Sequence, residues 1–147
     1  MEVYVVVDNT SSIARVVEFA KVTYGFGIKN LVLTHVYGSA AQQGVPEAFK
    51  VALRYSANLI ILSTIKDALS VLNPSHVIVL RRPGPQVRHI SELKPEGRVV
   101  VIVDGSDQDI KVDAPNVAYA YAVDGDVGGI AQLAVALCIL TGRCHVG

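Results

Sequence analysis

This sequence predicts an α/β fold with a mainly parallel sheet of about six strands and helices on both faces. Three observations point there. Short β-branched runs alternate along the chain with stretches of helical apolar period. The first run, Val3 to Asp8, is apolar up to its last residue, which suits a strand buried on both faces. The last run, Ile130 to Leu140, is apolar at every position except Gln132. At 147 residues the chain makes a single domain, 1–147, able to bury a core without staples.

Val3 to Asp8 is the first strand. Thr10 or Ser11 caps the helix that follows, whose Ile13, Val16, Val17 and Ala20 fall on one face, and Gly25 with Gly27 stops it. Leu31 to Val36 is the second strand. Gly38 to Gly44 reads as a flexible loop, and Pro46 opens a short helix to Tyr55. Asn58 to Leu62 is the third strand, Ile65 to Leu72 a short helix closed by Asn73-Pro74, and His76 to Leu80 the fourth strand. A turn-rich basic stretch runs from Arg81 to Gly97. Arg98 to Val103 is the fifth strand, Asp104 to Pro115 a polar loop, and Asn116 to Ala122 the sixth strand. A glycine-rich turn, Val123 to Gly129, leads into the last helix, Gly129 to Thr141, with Gly142 at its C-cap. A helix apolar all round is buried all round. The sheet covers one side; the other is expected against a second copy in a two-fold homodimer, or against a neighbouring helix of the same chain.

Composition removes several function classes. The formal net charge is zero, so a nucleic-acid role needs a local patch. Arg81, Arg82, Arg88, His89, Lys94 and Arg98 outnumber Glu92 and Glu96 in their stretch, as a phosphate-contacting face or a solvated charge run. Cys138 reads as a small hydrophobe, and its spacing to Cys144 fits neither a zinc knuckle nor a redox pair. The amino terminus reads as a strand, not a signal peptide, and no apolar run reaches the ~20 residues a bilayer requires. A soluble, cytoplasmic domain in a reducing compartment, with no membrane partner, is expected.

Ligands of open parallel sheets bind at the carboxyl ends of the strands. Asn9 and Arg15 follow the first strand. A guanidinium one turn into a helix suits a phosphate or carboxylate, or pairs with Glu18 at i+3. Asp104-Gly105-Ser106-Asp107 and Asp124-Gly125-Asp126-Val127-Gly128-Gly129 follow the fifth and sixth strands, where glycines allow close backbone approach. They match neither a Walker A motif nor GxGxxG. Asp104, Asp107, Asp109, Asp124 and Asp126 lack the spacing of a calcium loop. Glu92-Leu93-Lys94 matches the E-x-K fragment of one nuclease motif, without an upstream strand aspartate. His35, His76, His89 and His145 are scattered, so neither a metal site nor a catalytic triad is predicted.

Taken together, these pieces resemble the SPOUT superfamily of RNA methyltransferases, the trefoil-knotted α/β fold that uses S-adenosylmethionine. Asn9-Thr10-Ser11-Ser12-Ile13-Ala14-Arg15 with Tyr24-Gly25-Phe26-Gly27 looks like the SpoU-type opening motif. Gly105-Ser106-Asp107 stands where that family often has Gly-Ser-Glu, and Gly125-Asp126-Val127-Gly128-Gly129 looks like the knot-forming final loop. With the Gly38 to Ala48 stretch, the whole chain looks like a small archaeal SpoU-like family whose members have sometimes carried a RecB-type nuclease label. The resemblance implies a C-terminal trefoil knot, a departure from the usual rule against knots. It implies S-adenosylmethionine held by the loops after Leu80, Val103 and Ala122, through Leu80, Val103, Asp104, Gly105, Ser106, Val123, Gly125, Val127 and Gly128. It places Asn9 and Arg15 as catalytic residues against tRNA or rRNA, with Arg15 and the Arg81–Arg98 stretch on the nucleic acid, and it agrees with a homodimer through the last helix. Asp107 departs from the family's Glu, and Gln108-Asp109-Ile110 lacks the glycine expected there. Those departures keep open a SPOUT-fold module that binds without transferring methyl groups; the Glu92-Leu93-Lys94 fragment leaves a metal-dependent RecB-type nuclease as a further alternative.

Overall fold

The computed structural model describes residues 1–144 and is built from seven strands and four α-helices. In chain order these are β1 (Glu2–Thr10), α1 (Ile13–Gly25), β2 (Asn30–Val36), α2 (Val45–Arg54), β3 (Asn58–Leu62) and α3 (Ile65–Leu72). Then come β4 (His76–Leu80), β5 (Arg88–His89), β6 (Arg98–Asp104), β7 (Val117–Tyr121) and α4 (Gly129–Thr141). All strands are parallel, in the order β3-β2-β1-β6-β4-β7-β5. The strand beyond the expected six is β5, two residues inside the basic stretch, too short to leave a periodic signal.

β1 lies inside the sheet, paired with β2 and β6, and its continuous apolarity follows from having two covered faces. Val5 and Val7 pack with Val16, Phe19 and Ala20 of α1, with α2, and with Leu133, Ala136 and Leu137 of α4. Val6 faces the other way, into a smaller core with Val32, Ala68 and Leu72 of α3, Ile102 and Val112. Successive strand residues alternate between faces, so one valine run serves both cores.

Four local expectations change. The cap of α1 is Ser12, not Thr10 or Ser11, because β1 runs on through Thr10, which pairs with Val36; the Ser12 side chain accepts from the Arg15 amide at 3.3 Å. Residues Ala40–Gly44 are a π-helical turn running into α2, not a flexible loop. Gly44 is buried there, and a Cβ on it would stand 3.3 Å from Ile13 and Val16 of α1. Cys138 and Cys144 form a disulfide, against the expectation of two unpaired thiols in a reducing compartment. Gly142, at φ +67°, turns the chain back after α4 and brings their Cα atoms to 5.3 Å, within disulfide reach. Finally, the basic stretch does not form one face: Arg81 follows the carboxyl end of β4, whereas Arg98 opens β6 at the opposite end of the sheet.

α4 is only partly enclosed by its own chain. Gln132, Leu133, Ala136 and Leu137 are buried, while Val135 and Ile139 are left exposed on the outer side. Among the described residues no helix is long and apolar enough to cross a membrane. His145 lies outside the described residues.

Candidate functional site

The carboxyl ends of β1, β6, β4 and β7 bring three segments together, and the turn after β1 supplies the anchor. Asn9 adopts φ +67°, a conformation asparagine tolerates better than most residues, and this aims its amide across the sheet. Its Nδ2 donates to Asp104 Oδ1 at 3.3 Å, and its Oδ1 accepts from the Tyr37 hydroxyl at 3.3 Å. Asp104, buried at the end of β6, folds its own loop around its second oxygen, which accepts from the Ser106 and Gln108 amides at 2.8 and 2.9 Å. Gly105 lies flat on the end of β1: its N–H reaches Asp8 C=O at 2.6 Å, and an added Cβ would meet Thr10 at 2.7 Å. Only glycine fits so close to another backbone.

Arg15 projects from the first turns of α1 into this corner. Its two terminal nitrogens grip Asp107 at 2.9 and 2.6 Å, and Nη1 also donates to Gly105 C=O at 3.2 Å. The partner is therefore Asp107 and not Glu18. Asp107 Oδ1 accepts a third bond, from the Gly129 amide at the start of α4, at 2.8 Å. A carboxylate receiving a bidentate guanidinium and a helix-terminal amide is strongly stabilised as the anion. The Arg15 hydrogen bond accordingly holds Asp107 below the usual carboxylate range, and the same bond raises Arg15. One ion pair thus ties the β1–α1 turn, the loop after β6 and the amino end of α4.

Beside it is a narrow cleft with a volume of about 30 Å³. Leu80, Val103, Asp104 and Gly128 line it, with Arg81, Arg82, Gln132 and Gly129. Gly128 sits at φ +83°, and a Cβ on Gly129 would stand 2.9 Å from Asp104 C=O, so that wall is bare main chain. Gly105 and Ser106 support the cleft from behind through β1. Val123 is tied to the site through Gln132, whose side chain accepts from the Ala122 and Val123 amides and donates to Val123 C=O. Gly125 and Val127 are not brought to the cleft wall; Val127 is exposed.

The cations of the basic stretch are largely engaged. Arg81 donates twice to Ile110 C=O and stacks 4.2 Å from the Tyr119 ring centre. Arg82 pairs with Asp109 and Asp126, Arg88 with Glu92, and Arg98 with Glu2. Among the described residues no three His, Cys, Asp or Glu side chains come together as a metal-ligand set. Sequence reasoning missed Tyr37, Gln108 and Gln132. Of these only Gln132 left a signal, as the lone polar residue of an apolar helix.

The family model described as RecB-family nuclease (DUF2122) matches residues 38–139. A candidate type II restriction enzyme of Aeropyrum pernix is 38% identical over 95% of this chain and 93% of its own length. This chain belongs to the DUF2122 family. A second relative, a candidate type II restriction enzyme of Methanocaldococcus jannaschii, is 28% identical over 92% of the DUF2122 chain and 94% of its own. Solved structures similar to this DUF2122 protein are of another kind. An rRNA methyltransferase from Sinorhizobium meliloti matches with a TM-score of 0.74 at 12% identity, over 99% of this chain and 57% of that one. The SpoU methyltransferase AviRb from Streptomyces viridochromogenes, in complex with AdoMet, matches with a TM-score of 0.71 at 9% identity, over 95% and 59%. The TrmH/SpoU tRNA modifying enzyme of A. aeolicus matches with a TM-score of 0.66 at 11% identity, over 97% and 75%. At such identities the likeness is one of fold, and the fold is that of the SPOUT proteins.

Proposed function

We propose that this protein is an S-adenosylmethionine-dependent RNA methyltransferase acting on a ribose 2′-oxygen or a base of tRNA or rRNA. The observation that carries the reading is Arg15, held at the carboxyl edge of a SPOUT-type sheet beside a glycine-walled cleft. The donor set of that cleft suits the cofactor. Bare main chain at Gly128 and Gly129 allows close approach, Leu80 and Val103 give apolar surface, and Asp104 offers a carboxylate near a cation. Gly105, Ser106 and Val123 hold the loops in place, with Gly125 and Val127 further along the last of them. When bound, S-adenosylmethionine supplies a methyl group made electrophilic by its sulfonium.

The remaining work belongs to the chain. Arg15, on exchanging Asp107 for an RNA phosphate, holds the backbone; Asn9, fixed between Asp104 and Tyr37, orients the accepting nucleotide. Holding two reactants in register supplies much of the acceleration of a displacement. A second copy packed on Val135 and Ile139 completes the molecule as a homodimer, and the carboxyl-terminal segment threads the trefoil knot.

Calorimetry with S-adenosylmethionine and transfer of labelled methyl groups to total RNA test the reading together. Wild type is expected to bind the cofactor and transfer; Arg15→Ala is expected to keep cofactor binding and lose transfer by about 100-fold or more. No cofactor binding by wild type at millimolar concentration sinks the proposal. Binding without transfer replaces the enzyme by a non-catalytic module of the same fold. The family description and the relatives' names favour a second reading, a metal-dependent nuclease. It predicts magnesium- or manganese-dependent cleavage abolished by Glu92→Gln, although Glu92 is spent on Arg88 at 3.3 Å.

A further inference from the structure

Three loops meet over the cleft, and one side chain, Arg82, joins them. It follows β4, and its guanidinium reaches Asp109 in the loop after β6 at 3.2 Å and Asp126 in the loop after β7 at 3.6 Å. Neighbouring Arg81 is fixed differently, by two partly buried bonds to the Ile110 carbonyl and by stacking on Tyr119. Among the described residues Arg82 is held by carboxylates alone, and Arg82, Asp109 and Asp126 are 54%, 42% and 71% exposed. Ion pairs that exposed are weak and exchange readily.

The space on either side of Arg82 shows what these pairs do. Inside, the cleft has about 30 Å³, room for a water or two at roughly 10–15 Å³ each. Outside lies an open groove of about 430 Å³, with Pro83, Gly84, Pro85 and Asp124 along it. Arg81, Arg82, Asp109 and Asp126 border both. Small-molecule sites commonly hold about 300–1,000 Å³. The cleft alone falls far short of that range; cleft and groove together reach it. Arg81 is stacked in place, so the side chain whose rotation joins the two spaces is Arg82. Asp107 holds the inner end of the same loops through Arg15 and Gly129, so the mouth can open without freeing that anchor.

We infer that Arg82 is a strap dividing one ligand site in two, and that the cofactor enters when Arg82 leaves Asp109 and Asp126. The ligand's identity comes from the methyltransferase reading; the strap itself does not depend on it. Arg82 acts through the loops it joins, so it is a positioning residue.

Amide hydrogen exchange of the full chain, without ligand, reads the strap directly. The Gln108 amide is held by Asp104 and the Gly129 amide by Asp107, each beside a loop that Arg82 ties to β4. Arg82→Gln is expected to speed both by roughly two- to fivefold at low salt, with the β1 amides unchanged. Arg82→Lys is expected to keep most of the protection. In an Asp109→Asn, Asp126→Asn background, Arg82→Gln is expected to add nothing. The gap between wild type and Arg82→Gln is expected to close near 1 M salt, where the Debye length is about 3 Å. The second readout is the association rate of S-adenosylhomocysteine, whose zero net charge keeps the lost arginine charge from drawing it in. That rate is expected to rise in Arg82→Gln by the same factor as the exchange, since entry scales with the open fraction.

Unchanged exchange at Gln108 and Gly129 in Arg82→Gln overturns the strap. So does an acceleration that persists in full without the two aspartates. An association rate that stays constant while exchange quickens overturns the strap as a gate. Faster exchange with no binding of S-adenosylmethionine or its demethylated product sustains the strap and removes the methyltransferase reading. Binding with both exchange and rate unchanged removes the strap and leaves that reading intact.

Discussion

Tyr24 shows how far one side chain's chemistry depends on partners distant in sequence. Its ring is buried and its hydroxyl donates to Asn58 C=O at 2.7 Å. Burial pushes the phenol from its ordinary 10.0 up to about 12. The folded state then holds a proton that the unfolded chain releases, so this contribution is complete below pH 10 and is lost as pH rises toward 12. Measured against Tyr24→Phe in urea, wild type is expected to lose about 2–3 kcal/mol of relative stability across that interval. Asp107 carries the opposite sign. Its depressed carboxyl contributes above the ordinary carboxylate range, and the contribution goes as pH falls through its folded value, below 3.8. Asp107→Asn is expected to cost roughly 0.2–1 kcal/mol at pH 7, because the pair is a third exposed, and progressively less as pH falls below 3.8. Arg15 and the Asp104 loop were visible as candidates at strand ends; their pairing was not, since 92 residues separate Arg15 from Asp107.

At the scale of elements, α4 inverts the simple reading of an apolar helix. Its single polar side chain, Gln132, is buried, while Val135 and Ile139 face outward. Gln132 is inside because the turn after β7 leaves main-chain groups that β7 cannot pair, and its amide serves three of them. Gln132→Leu fits the helix pattern better, yet it is expected to destabilise by about 2–4 kcal/mol in chemical denaturation by stranding those groups. Helices and strands with strong periods and glycine or proline punctuation were legible, α3 and α4 to the residue. The π-helical turn at Ala40–Gly44 was not, because its glycine and small polar residues carry loop signals. What decides there is Gly44 packing on α1, a tertiary contact.

For the whole molecule, the outward Val135 and Ile139 test the expected homodimer. Replacing both by glutamate is expected to yield a folded monomer by light scattering, where wild type gives a dimer; an unchanged mass would remove α4 from the interface. Fold class was legible at this scale because alternating strands and helices leave few other arrangements. Strand order was not, since parallel neighbours are chosen by packing between segments far apart in the chain. The disulfide was hidden for a similar reason: spacing gave no sign of the turn at Gly142 that brings Cys138 and Cys144 together.

The pairing of β1 with β6, from Glu2 with Arg98 to Asp8 with Asp104, has a consequence for synthesis. While the ribosome makes the intervening chain, β1 has β2 on one side and nothing on the other. At 5–20 residues per second that wait lasts about 5–20 s. A bare valine-rich strand edge is a template for pairing with another chain. A strand that ends enclosed between two others therefore begins as an aggregation hazard, and the nascent protein depends on something shielding that edge until Arg98 to Asp104 emerges.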